Sequence, residues 1–130
     1  MNELSINNRN IMSSLTLNTP EEKKKMFNAL QNPTGTLKSL INTEFALKDV
    51  IALEDEYKDN ETGELRPVTR WVLFNEKGES YITSATGINN AMKFLFLTYG
   101  TPDTWKDPIT IKIIQKTLSN NGNLLTFEVV

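Results

Sequence analysis

The plainest order in this chain is alternation of apolar and polar positions. Phe45, Leu47, Ile51 and Leu53 fall on one parity with Val50 on the other, so residues 44–57 predict one long, bent strand. Asp59-Asn60-Glu61-Thr62-Gly63-Glu64 has the turn formers of a hairpin tip, and Pro67 suits the start of a returning strand. That strand covers residues 68–74. A tight turn at Asn75-Glu76-Lys77-Gly78 leads to a third strand over residues 79–84. Later, Ile109, Ile111 and Ile113 alternate with Thr110 and Lys112 to give a fourth strand. Asn121-Gly122 then supplies the positive φ angles of a hairpin turn, and the fifth strand, residues 124–130, turns Leu125, Phe127 and Val129 to one side.

Two segments follow the helical period instead. Ile88, Ala91, Met92, Leu95, Phe96 and Tyr99 recur at spacings of three and four, predicting a helix over residues 86–99 that Gly100 ends. Phe94 and Leu97 add apolar surface on a second side, which implies that another element covers this helix. Earlier, Thr19-Pro20-Glu21-Glu22 combines a capping hydroxyl, a first-turn proline and an acid three residues after the cap. A helix over residues 19–32 is expected there, with Met26, Phe27 and Leu30 as its apolar stripe and Pro33 stopping it. In residues 1–18, Leu4, Ile6, Ile11, Met12, Leu15 and Leu17 keep no sustained period, so a flexible tail is expected. Trp105, framed by Pro102 and Pro108, reads as a plug over one end of the fold.

The sum is a mainly β chain with two helices. After the N-terminal helix the order is β-β-β-α-β-β, that of a five-stranded OB-type barrel, in a single domain spanning residues 19–130. A two-layer arrangement, an open sheet with the helix on one face, is the alternative. At 130 residues one core is the natural outcome.

Composition narrows the chemistry. The chain has neither cysteine nor histidine, which removes disulfides, thiolate nucleophiles, thiolate or imidazole metal sites and the usual proton shuttle. With no recognisable cluster of acids either, the expectation is a protein that is not an enzyme and needs no cofactor or metal. No apolar run of roughly 20 residues is present, and no leader precedes one, so a cytoplasmic protein without membrane partners is expected. The net charge of −2 argues against a polyanion ligand until its distribution is considered. Six of the 16 carboxylates lie within residues 54–64, beside Lys58 alone of the 14 cations, leaving the remainder mildly basic.

Binding unpaired nucleic acid without reading sequence needs exposed aromatic faces and a line of cations. Trp71, flanked by Arg70, and Tyr81 on the neighbouring strand supply the first requirement, with Tyr57 and Phe45 as secondary candidates. The parity of the second strand is ambiguous. If Val68, Val72 and Phe74 are buried, Trp71 faces outward and Arg70 falls among them, which requires a barrel end or a partner charge. The competing reading puts Trp71 in the core. Lys112 and Lys116 lie opposite the isoleucines of the fourth strand and are phosphate candidates, with Lys48 added from the first strand. Lys23, Lys24 and Lys25 read more simply as a solvated helix face.

Several segments together resemble the small single-stranded-DNA-binding proteins of phages and mobile elements of Gram-positive bacteria. They are Lys25-Met26-Phe27-Asn28-Ala29, Leu73-Phe74 followed by Tyr81, the strands around Asn121-Gly122-Asn123, Thr19 to Lys25, and Pro102-Asp103-Thr104-Trp105. The resemblance implies an OB fold, no cofactor, coating of displaced single strands during replication or transfer, and Tyr81 as a stacking residue. RNA is a variant ligand. The rival function is an adaptor or self-assembling protein that uses the N-terminal segment to form homo-oligomers or to dock replication proteins. The acidic hairpin at residues 54–64 departs from the expected clasping loop.

Overall fold

The computed structural model describes residues 1–130. In chain order the elements are β1 (Asn2–Ile6), β2 (Arg9–Ser13), α1 (Pro20–Gln31), β3 (Gly35–Thr36), a 3-10 turn (Leu37–Leu40), β4 (Glu44–Lys58), β5 (Leu65–Asn75), β6 (Ser80–Thr83), α2 (Thr86–Tyr99), a second 3-10 turn (Pro102–Thr104), β7 (Ile109–Thr117) and β8 (Asn123–Val129). All eight strands join one mixed sheet, antiparallel except where β3 runs parallel to β6.

Strand β4 organises the sheet. A bulge between Leu47 and Asp49 shifts its register, so that Phe45 and Leu47 before it and Val50 and Ala52 after it all face the same core. Residues 44–47 pair with β7, residues 51–53 with β2, and nearly the whole strand with β5. The chain is mainly β with two helices, as expected, and its eight strands form an open, mixed sheet. Strand β8 pairs with β7 alone, and no ladder joins it to β6. The first turn of α2 enters that seam. Gly87 lies against the backbone of β8, where a methyl carbon would collide with the Leu125 carbonyl oxygen and come within 2.7 Å of Leu124 Cδ1. Glycine here is a matter of space, since the helix start and the strand could not otherwise approach so closely.

Two apolar clusters sandwich the sheet. The larger holds Leu37, Phe45, Leu47, Val50, Trp71, Leu73, Ile88, Met92, Leu95, Ile111, Ile113 and Phe127. The smaller lies across the sheet, where Ile51, Val72 and Phe74 meet Met26 and Ala29 of α1 and Ile11 and Leu15 of the N-terminal segment. Residues 1–18, expected as a flexible tail, are therefore corrected to a hairpin bound to β4. The turn at Asn7 and Asn8 takes positive φ, which asparagine tolerates better than most residues, and β2 buries Ile11 and Ser13. Ser14 ties the segment down further: its hydroxyl donates to Asp49 Oδ1 at 2.9 Å and accepts from the Val50 N–H at 2.9 Å.

Thr19 caps α1 by accepting the Glu22 N–H, while the Glu22 carboxylate accepts from both the backbone and the hydroxyl of Thr16. Those bonds, the Thr16 hydroxyl first, hold the Glu22 carboxyl below its ordinary pKa. The apolar stripe of α1 differs from expectation, because Ala29 is buried and Phe27 is exposed. On α2 the inner stripe is Ile88, Met92 and Leu95, but Phe94 and Leu97 stand in solvent, so the second apolar side is uncovered within this chain. Trp105 is half-buried against the larger core, its indole N–H donating to the Tyr99 carbonyl at 2.9 Å.

Gly87→Ala is expected to lower the unfolding free energy by about 1–3 kcal/mol through overpacking of α2 on β8. Urea denaturation followed by circular dichroism measures this. An unchanged midpoint would contradict so close an approach of helix to strand.

Candidate nucleic-acid interface

The aromatic candidates separate by burial. Trp71 is 3% exposed and faces the larger core, its indole N–H donating to Asn89 Oδ1 at 2.9 Å and its ring edge-on to Phe96. Phe45 is 4% exposed. Neither offers a face to a base, which corrects both as stackers. Of the two readings that parity left open for Trp71, the core one is what the structure has, because both faces of the strand are buried: Val72 and Phe74 are covered by α1 and the hairpin while Trp71 and Leu73 are covered by α2. Tyr81 is half-buried, edge-on to Phe45 at 5.7 Å between ring centroids, and it lines a cleft of about 210 Å³ with Leu40, Glu44, Ala46 and Lys77. Tyr57 is the most open of the four, 48% exposed near the tip of the β4–β5 ribbon.

The cations divide between committed and free. Arg70 meets the partner charge that its position required: its Nε donates to Asp55 Oδ2 at 2.7 Å, and Arg9 at the start of β2 holds the other oxygen of the same carboxylate. The Arg70 bond is the largest of the causes that hold the Asp55 carboxyl below its ordinary range. Lys25 is likewise engaged, with Asp49 at 3.5 Å and over the Phe74 ring. Lys48, Lys112 and Lys116 make no ion pair within 4.0 Å. Pleat and register put them on one outward sheet face, with Lys48 two positions beyond Ala46, which pairs with Thr110, and Lys112 paired with Glu44 on one side and Glu128 on the other. Their steps of four residues along the β7 direction are about 13 Å each. Tyr81 lies on the opposite sheet face, yet its cleft reaches Glu44 and Ala46 at the edge of the lysine face.

Larger hollows lie elsewhere. The largest, about 790 Å³, is walled by the hairpin, the β4–β5 ribbon and the start of α2, and includes Tyr57, Thr69 and Asn89. Its charged lining is three carboxylates, Glu54, Asp55 and Glu56, against Arg9 and Arg70, so a polyanion gains nothing there. An apolar groove of about 360 Å³ runs between α2 and β8 past Phe94 and Phe127. A third cleft, about 470 Å³, opens at the seam between β6 and β8 and carries Lys38 as its one charged residue. Pattern reading of the strands did not single out Arg9 or Lys38, because both lie outside the segments whose period was legible.

Comparison with known proteins adds a family. Residues 5–130 match the model of the Phi29 family, described as phage single-stranded DNA-binding protein. Comparisons with curated proteins and with solved structures return no match.

Asp55→Asn is expected to cost about 1 kcal/mol at neutral pH, a modest figure because both guanidinium groups are more than a third exposed and screened by water. A carboxyl with a lowered folded-state pKa stabilises the fold above its ordinary value of 3.8 and loses that effect as pH falls through the folded value. The gap between wild type and variant should therefore narrow in acid. Denaturant titrations at pH 7 and at pH 3 or below check both the size and the sign.

Proposed function

From the premise that this chain belongs to the Phi29 phage single-stranded DNA-binding protein family and binds single-stranded DNA, we propose that it coats displaced strands without reading their sequence during phage or plasmid replication or transfer. The supporting observation is the outward face of β4 and β7, where Lys48, Lys112 and Lys116 line up beside the Tyr81 cleft with no ion pair within 4.0 Å, Glu44 and Glu128 being the cross-strand neighbours of Lys112. Phosphates are drawn to the row, and bases that lie toward its edge meet the Tyr81 ring. Tyr57 offers a second stacking face on the ribbon. Every base has a π-face and every nucleotide a phosphate, so this recognition is indifferent to sequence.

We also read strands β4 to β8 with α2 as an OB-type unit. Three antiparallel strands, then a helix, then a hairpin docked on the first strand, support it, with α2 in the seam where a closing strand pair would otherwise lie. The role proposed is binding without catalysis, in the host cytoplasm, with no cofactor.

A second reading, self-assembly, has its own support. Strand β1 is an edge of the sheet, paired only to β2, and exposes Leu4 and Ile6; a second copy could add to that edge. The two activities are compatible.

Tyr81→Ala and Tyr57→Ala should each weaken binding of fluorescein-labelled oligo-dT by about 1–3 kcal/mol, read by fluorescence polarisation. Lys112→Glu with Lys116→Glu should weaken it further and flatten the salt dependence, by roughly 0.7 in log-log slope for each phosphate that is no longer neutralised. Unchanged affinity in the double lysine variant would place the strand on another face. For assembly, Ser5→Pro in the full chain should reduce the mass measured by light scattering if β1 edges pair, and leave a monomer's mass untouched if they do not.

A further inference from the structure

Among the four clefts, the one at the seam differs in charge. The largest holds three carboxylates against two guanidinium groups, the Tyr81 cleft holds Glu44 and Glu76 against Lys77, and the groove along α2 carries no charge. The seam cleft has Lys38 and no carboxylate. Of the four, it is the one whose own lining favours an anion.

Its polar lining is also uncommitted. Besides Lys38 the walls carry Thr83, Ser84, Thr86, Gln115 and Asn123. Thr83 accepts a hydrogen bond from the Ala85 N–H, while the side chains of Lys38, Ser84, Thr86, Gln115 and Asn123 bond to no other group of the protein. One ammonium, two hydroxyls and two amides thus face a hollow of about 470 Å³, enough for a nucleotide-sized group. Topology explains the position. β3 pairs with the outer edge of β6 at Tyr81 and Ile82, so the 3-10 turn that follows it carries Lys38 past the end of that pairing, beside Thr83 and Ser84, and Gln115 and Asn123 come from β7 and β8 on the other side of the seam, where no ladder joins β6 to β8. The same turn contributes Leu40 to the Tyr81 cleft, so the two hollows lie on either side of one short segment.

We propose that the seam cleft is a phosphodiester-binding subsite for the single strand, with Lys38 as the charged contact and Ser84, Thr86, Gln115 and Asn123 as neutral hydrogen-bond donors to phosphate oxygens. This extends the cationic row around the end of the sheet, past Tyr81 and into the seam. It rests on the single-strand-binding reading and specifies where part of the strand goes. Point-charge and amide donors grip the backbone and leave the base free, in keeping with indifference to sequence.

The test is a polarisation titration of fluorescein-labelled oligo-dT with the full-length wild type, Lys38→Glu, Lys38→Met and, as a charge-matched control, Lys93→Glu. Lys93 is exposed on α2 and lines none of the four clefts. Lys38→Glu is expected to weaken binding at least tenfold and Lys38→Met less, both with the log-log salt slope reduced by roughly 0.7, while Lys93→Glu loses much less. The same order is expected with an oligonucleotide of abasic sites, where stacking cannot contribute. Lys38 is exposed and unbonded, so its variants should melt with the wild type; a thermal melt of each confirms that folding is not the cause. Equal losses in Lys38→Glu and Lys93→Glu would reduce the effect to bulk charge and overturn the subsite. Wild-type affinity and slope in both Lys38 variants would overturn it as well, leaving single-strand binding intact. Failure of the wild type itself to bind oligo-dT would instead strike the underlying function.

Discussion

The constraint on which this fold turns is that the middle of the sheet must be covered on both faces. Strands β4 and β5 place Val50, Ala52, Trp71 and Leu73 on one side and Ile51, Val72 and Phe74 on the other, all of them buried. A barrel wall with solvent outside would leave the second set in water, at a cost on the order of 1.5–3 kcal/mol for each large side chain. Helix α1 and the β1–β2 hairpin meet this need. The added N-terminal elements are thus part of the folding unit, and truncation at residue 18 would strip Ile11 and Leu15 from the smaller cluster.

That arrangement also sorts the surface by use. The outer face that is covered lies over the middle of β4 and β5; the outer face left bare lies over the first residues of β4 and over β7, beyond the bulge at Leu47 and Asp49. The bulge therefore separates a structural half of the long strand from an accessible one. Cations follow the division. Arg9, Arg70 and Lys25, near the covered half, are neutralised by Asp55 and Asp49, whereas the lysines over the bare half have no partner. The acids of residues 54–64 sit at the far end of the ribbon. There they engage Arg9, Arg66 and Arg70 rather than lining the proposed strand path.

Much of the architecture was legible from residues alone. Alternation located β4, β7 and β8, the turns at residues 59–64 and 75–78 bracketed β5 and β6, the three-four period located α2, and the cap at Thr19 located α1. The hairpin at residues 1–13 was not legible: its exposed β1 has no buried face to impose a period, and β2 buries only Ile11 and Ser13. Trp71 was ambiguous for the opposite reason. With apolar residues at four successive positions, Trp71 to Phe74, alternation vanishes and parity cannot choose a face. Whether β8 would reach β6 was beyond pattern reading altogether, since the open seam between them follows from the close approach of the start of α2 to β8 at Gly87. At the interface, the lysines of β7 followed from the isoleucine alternation, while Lys38 and Arg9 required the tertiary fold to bring loops to a cleft.

The immobilised Trp71 has an optical consequence. An indole sealed among Leu73, Met92 and Phe96, with its N–H held by Asn89, emits from an apolar cage that ligand at the surface does not reach. Its emission and its near-ultraviolet dichroism belong to the native packing and vanish with it. Tryptophan signals in this chain therefore report chiefly on folding, and a change caused by DNA would have to arise at the half-buried Trp105.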